Sequence, residues 1–188
     1  PREFTLKKDV AKEIIRIGLP SAFQQAVINV AYLALNGIVN SYGLIATTAY
    51  GICVKLDNFA ILPCTAVNDA VAAVTRQNLG AGQKDRALEG LKAGRKLIIP
   101  FNILLMVVIM AFAEKLTGLF SNDMEVIAMA SKYIRISCWM YILYAIYYPL
   151  MGFIKGTGNA LFALKNTVVA QLIIRVPVAY FMAKVVGL

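Results

Sequence analysis

The sequence predicts an all-α integral membrane protein, a polytopic bundle of about five transmembrane helices. Three observations carry that expectation. Of 188 residues, 60% are hydrophobic and 15% charged, and the mean hydropathy is +0.69, well above the roughly 45–50% apolar share of a soluble domain. Residues 17–54 run for 38 positions without an Asp, Glu, Lys or Arg, whereas a bilayer core needs only about 20 apolar residues per helix. The basic residues gather at positions 2–16 and 76–96, beside apolar runs, as the positive-inside rule expects of cytoplasmic loops.

Composition also removes function classes. There is no histidine, so a Ser-His-Asp triad or a HExxH zinc site cannot be built within this chain, and no catalytic or metal-ligating set is expected. The net charge of +9 would invite a nucleic-acid reading, but the basic clusters form no single face with aromatic platforms, so no nucleic-acid partner is expected. Cys53, Cys64 and Cys138 lie in apolar stretches and read as small buried hydrophobes. The first apolar run is too long and too rich in Gln24, Gln25 and Asn29 for a signal peptide. A start without Met reads as a fragment.

The elements follow in order. Residues 1–16 form a basic amphipathic lead-in or linker, with Phe4, Val10, Ile14 and Ile17 near helical spacing. The first span covers about 17–41 and ends at the turn Ser41-Tyr42-Gly43. The second, about 44–78, closes on Gly80-Ala81-Gly82, where glycine offers a helix C-cap. It is long and has Pro63 at its middle, so it must tilt, kink or protrude. The third span, about 97–117, follows the basic stretch from Lys84 to Lys96 and contains Pro100. Ser121-Asn122-Asp123 is an N-cap cluster ahead of a tyrosine-rich fourth span at about 134–155. After the turn at Gly156-Thr157-Gly158-Asn159 comes a fifth span, about 161–187. Residues 17–188 are thus one incomplete transmembrane domain.

Loop charges orient it. With the N-terminus in the cytoplasm, thirteen Lys and Arg fall inside and only Lys115, Lys132 and Lys184 outside, with Lys55, Arg135 and Arg175 left within the membrane. The C-terminus is then outside.

Polar groups in hydrocarbon mark function or bundle contacts. On the first span Gln25, Asn29, Asn36 and Asn40 are spaced by 4, 7 and 4 residues and share roughly a 60° sector. They line a hydrated cavity or hold the bundle by interhelical hydrogen bonds. On the second span Asp57, Cys64, Asn68 and Thr75 point one way, and Asn58, Thr65, Asp69 and Arg76 about 100° away. A carboxylate in low dielectric can trade a proton, or bind Na+ with neighbouring carbonyls, which couples transport to an ion gradient. Asp57 and Asp69 are the candidates, unless Lys55 or Arg175 merely neutralises them. Tyr133, Tyr141, Tyr144 and Tyr148 share about an 80° sector of the fourth span, as a wall for organic cations or as interfacial anchors. Prolines at 63, 100, 149 and 177 sit in four different spans, as in transporters that rock or bend.

Ile17-Gly18-Leu19-Pro20 opening a span, Gln77-Asn78-Leu79-Gly80-Ala81-Gly82 followed by Arg86-Ala87, Gly152-Phe153-Ile154-Lys155-Gly156-Thr157-Gly158, and Arg175-Val176-Pro177 together resemble the multidrug and toxic compound extrusion (MATE) family. The resemblance implies twelve helices in two six-helix lobes that alternate between inward-open and outward-open states. It implies export of organic cations in exchange for Na+ or H+, in the lipid bilayer of a bacterial cytoplasmic membrane, with no bound cofactor. This chain then corresponds to helices seven to eleven, the second lobe without its last helix, and its partners include the first lobe and the twelfth helix. The Na+-coupled branch carries acids on its seventh and tenth helices, where this chain has Ile28 or its neighbours and Tyr144. Coupling then falls to an acid of the first lobe, or to Asp57 or Asp69. Gln25, Asn29, Asn36, Asn40, Asp57, Asn58, Asp69, Tyr144 and Arg175 are the expected pathway residues. A flippase for lipid-linked oligosaccharides, drawing on Lys55, Arg135 and Arg175, and a membrane-embedded acid-dependent enzyme are the alternatives.

The orientation has a direct test. Single cysteines placed between residues 76 and 96 of the complete protein should react with impermeant maleimide only after the membrane is opened; reaction in intact cells would invert the topology.

Overall fold

A computed structural model describes residues 8–185, and residues 1–7, with the Phe4 end of the lead-in, and 186–188 lie outside it. The described residues are helical, in the order α1 (Lys8–Asn40), α2 (Leu44–Gly80), α3 (Lys84–Gly118), α4 (Met124–Ser137), α5 (Met140–Gly156), α6 (Ala160–Val168), a π-helical segment (Val169–Arg175) and α7 (Val176–Val185). Four helices are long and apolar enough to cross a membrane, and α4 with α5, bent by 50° at a short break, adds a fifth candidate crossing if the bent pair is one span. This is the all-α polytopic architecture the hydropathy requires.

Element ends differ from the expected spans in instructive ways. From Lys8 the lead-in is continuous with the first span, as one helix. α3 begins at Lys84 and not near Leu97, because Lys, Arg, Ala and Leu are all good helix formers. Lys84, Arg86, Lys92, Arg95 and Lys96 therefore ride on the first turns of a helix that then enters its apolar stretch. α2 stays helical through Pro63, and in α3 the non-helical residue is Phe112, at φ −117° and ψ 18°, not Pro100. Asp123 caps α4 as its position suggests, accepting from the backbone N–H groups of Glu125 and Val126 at 2.9 and 3.5 Å. The fourth crossing thus starts at Met124 and bends at Cys138 and Trp139, where Tyr141 N–H bonds back to Cys138 at 3.0 Å.

The described residues form two compact units, one over 36–157 and one over 8–35 with 158–185. In the latter, Gln24 donates to the Thr167 hydroxyl at 2.7 Å and Ala31, Leu35 and Ala163 are buried. The π-helical segment ends just before Pro177, which cannot donate to the Ile173 carbonyl; Val176 N–H reaches back five residues to Gln171, a wider turn that absorbs the lost bond.

In the former unit α2 is central. The turn into α3 closes on Gly82 at φ +74°, with Ala81 and Gln83 N–H bonding to Gln77 and Asn78, so the glycine-rich segment ends α2 as expected. Ala49, Ile52, Cys53, Leu56 and Ala60 of α2 pack with Met106 and Ile109 of α3, Ala130 and Ile134 of α4 and Tyr141 of α5. Further along, α2 and α5 run the same way and approach backbone to backbone. A Cβ on Gly152 would lie 2.2 Å from the Asn68 carbonyl oxygen, and one on Gly156 would lie 2.5 Å from Thr75 Cβ. Only glycine permits that contact.

Gly152→Ala should therefore cost about 1–3 kcal/mol by forcing the helices apart, seen as a lower thermal midpoint of the complete protein in detergent. Gly51→Ala, where an added Cβ meets nothing within 4 Å, should be neutral or stabilising by up to about 1 kcal/mol.

Candidate translocation-pathway residues

Two polar stripes with the same helical logic end up in opposite surroundings. On α1, Gln25, Asn29, Asn36 and Asn40 are all exposed, and Gln25 donates to Asn29 at 3.3 Å along the stripe. Gln24, one position away, turns the other way to Thr167. The amides keep their hydrogen-bonding capacity for water or for a partner surface.

On α2 the direction defined by Asp57, Cys64, Asn68 and Thr75 faces inward. Cys64 and Thr75 have no exposed surface, and Asn68 is 6% exposed. Asp57 is half-buried and accepts from the Tyr141 phenol at 2.8 Å. Asn68 donates to the Tyr148 carbonyl at 3.1 Å. Asn102 of α3, fully buried, donates to Cys64 Sγ at 3.0 Å and to the Tyr141 carbonyl at 3.1 Å. These bonds tie α2 and α3 to α5. Asn102 was missed by sequence reasoning: it is a lone amide in an uncharged run, with no second polar residue at helical spacing within that run.

The other direction of α2 is outward, with Asn58 and Asp69 exposed. The two acids therefore differ. Asp57 belongs to a buried hydrogen-bond network, and Asp69 lies on an open face. Lys55 holds its ammonium 5.7 Å from the centre of the Phe120 ring. In the unit that contains it, Arg175 donates from Nη1 to the Gln171 side-chain oxygen at 3.0 Å and lies 5.2 Å from the Tyr32 ring centre, a cation–π contact.

The tyrosine wall is divided by the bend. Tyr141 is fully buried and stacks on half-buried Tyr144 at 6.3 Å, which meets Tyr148 edge-on at 6.1 Å. Tyr133, across the break in α4, instead meets Tyr50 of α2 at 6.1 Å. An α-helical wheel drawn through both helices cannot anticipate that. A cavity of about 430 Å³ opens beside α4, lined by Glu114, Ser131, Lys132 and Arg135 among others, and Arg135 pairs with Glu114 at 3.3 Å. Both partners are well exposed, so the pair contributes little. Among the described residues no group of three Cys, Asp or Glu could hold a metal ion.

The MatE family model matches residues 20–181. The chain is 24% identical over 182 residues to the Probable multidrug resistance protein YoeA of Bacillus subtilis, covering 97% of this chain and 39% of the relative. It is 26% identical to the Probable multidrug resistance protein NorM of Thermotoga maritima, covering 97% and 41%. It is 25% identical to the Multidrug export protein MepA of Staphylococcus aureus, covering 96% and 40%. It thus spans about two fifths of the length of these relatives. A solved MOP superfamily transporter from Pyrococcus furiosus shares the fold with a TM-score of 0.81 at 16% identity, over 94% of this chain and 39% of that one.

Tyr141→Phe removes the donor to Asp57 and should destabilise the complete protein by about 1 kcal/mol, read as the thermal midpoint in detergent. Asp57→Asn keeps an acceptor oxygen for the phenol and should cost less than Asp57→Leu; equal losses would mean that the phenol–carboxylate bond does not hold α2 to α5.

Proposed function

The chain belongs to the MatE family, and from that premise we propose that it is the larger part of the second lobe of a secondary antiporter that exports organic cations by alternating access. The relatives it matches carry multidrug resistance or export names, and its helices are those of a multi-pass membrane protein. The observation that carries the reading is the exposed amide stripe of α1. Gln25 and Asn29 in one unit, and Asn36 and Asn40 in the other, are each an exposed pair of uncharged hydrogen-bonding side chains one turn apart, and each pair offers an organic cation polar contacts without a fixed charge to trap it. Asn58, Asp69 and Arg175, exposed as well, are the further pathway residues.

Coupling needs a group whose charge or occupancy differs between two states, since a ligand shifts an equilibrium only by its differential affinity. Asp57 is the acid best placed for this. It is half-buried and held by Tyr141, whose ring stacks on Tyr144, so a proton or Na+ taken up at Asp57 changes the contact between α2 and α5 at the tyrosine wall. The partners in this reading are the lipid bilayer, the organic cation, the first lobe and the twelfth helix. The N-terminus lies in the cytoplasm of a bacterial cell.

Two variants of the complete protein in vesicles test the reading. Asn36→Leu/Asn40→Leu should lower export of a fluorescent organic cation at least about tenfold, the equivalent of ~1.4 kcal/mol, with expression unchanged. Asp57→Asn should retain downhill flux but lose uphill accumulation under an imposed pH or Na+ gradient. Wild-type export by the double variant removes the stripe from the pathway, and intact uphill transport by Asp57→Asn moves coupling elsewhere.

A further inference from the structure

Among the described residues, four buried side-chain polar atoms have no protein partner: Asn68 Oδ1, Thr75 Oγ1, Arg95 Nε and Asn102 Oδ1. All four belong to the seam where α2 packs on α3 and α5. Asn68 and Thr75 are seven residues apart and share a face of α2; Arg95 and Asn102, also seven apart, share a face of α3. Asn102 meets Cys64, and Gly94 abuts Val71 and Val67. That antiparallel register sets Arg95 at a level between Asn68 and Thr75.

Rotation of the side chains does not relieve these atoms. Each asparagine presents a donor to a main-chain carbonyl, Tyr148 for Asn68 and Tyr141 for Asn102, and only the NH2 end can sit there, which fixes where each Oδ1 points. Thr75 is an exception among the described threonines. Thr47, Thr48, Thr65, Thr117, Thr157 and Thr167 each donate to a carbonyl three or four residues earlier in the chain, but Thr75, pressed against Gly156, does not. Pro149 adds a further acceptor, because it has no N–H for the Ala145 carbonyl, and Ala145 packs against Cys64 and Ile98.

A buried polar atom left without a partner is costly, and four aligned in one seam call for an occupant. The set is mixed, oxygen acceptors with one guanidinium donor. A metal cation would suit the oxygens but is repelled by Arg95. Water both donates and accepts, and two to four polar partners are what a buried water takes.

We propose that this seam is wet: ordered waters sit at Asn102, Asn68 and Thr75, from the level of Cys64 towards the end of the helices that carries residues 76–96. From Cys64, which Asn102 meets, to Thr75 the distance along α2 is about 17 Å at 1.5 Å per residue, so the waters occupy the part of the seam nearer residues 76–96. The hydration stands on the seam alone.

The three cysteines supply an internal standard, since Cys53, Cys64 and Cys138 are all fully buried but only Cys64 faces the seam. Radiolytic hydroxyl-radical labelling of the complete protein in 18O water, read by mass spectrometry, should oxidise Cys64 several-fold faster than Cys53. Thr75→Val/Asn102→Leu should bring Cys64 down to the Cys53 rate. Equal rates in the parent protein overturn the proposal, and so does undiminished Cys64 oxidation in the double variant. A raised Cys53 rate reports a disturbed fold, in which case Thr75→Val alone, nearly isosteric, decides by the same comparison.

Discussion

Between helices immersed in lipid there is no hydrophobic force to bring them together, because the tails are as apolar as the side chains. What remains is close packing and the satisfaction of polar groups. The contact of α2 with α5 supplies both, and the rest of the Asn36–Thr157 unit is arranged around it. Gly152 and Gly156 let two backbones meet where any Cβ would collide. That proximity is what allows Asn68 to reach the Tyr148 carbonyl and Tyr141 to reach Asp57. The glycines and the polar residues are thus one device. With larger residues at 152 and 156, the amide and the carboxylate would face apolar side chains across a wider gap, and carrying them in the membrane would be a net cost.

The same constraint explains the contrast between the two stripes. Periodicity reveals that α1 gathers polar residues along one line and α2 along two, and this much is readable from spacing. Which line becomes buried is decided by the opposing helix. α2 finds Asn102 and the glycine face of α5, whereas the α1 stripe remains exposed. The segment Gly152-Phe153-Ile154-Lys155-Gly156-Thr157-Gly158 was legible as a family motif and as a turn. Its first two glycines acquire their physical meaning only when Asn68 and Thr75 are seen against them.

Hydropathy located the crossings because backbone polar groups in hydrocarbon must be bonded within the segment, which leaves long helices as the solution. Their ends were less legible. Lys84 to Lys96 marked by charge where the third span begins but not where the helix begins, since charge governs depth in the membrane and propensity governs backbone geometry. The break at Cys138 and Trp139 carries no glycine or proline and was invisible, and with it went the phase relation that had placed Tyr133 beside Tyr141. Asp123 was legible because a cap is a local interaction, completed within three residues. Asn102 was not, because one amide has no periodicity.

Asp57 and Asp69 show how far location alone changes a residue's chemistry. They lie on one helix, twelve positions apart, and sequence offers no means to rank them. An acid on an open face exchanges with its surroundings without moving anything. Asp57 accepts from a phenol that is itself fully buried, on a helix whose partner contacts lack the slack to adjust silently. Any change in its charge or ligation must therefore alter the Tyr141 bond, and through the Tyr141–Tyr144 stack alter the tyrosine surface beside it. In this unit the α2–α5 contact thus joins a carboxylate to an aromatic surface, and that junction is what the coupling role proposed for Asp57 requires.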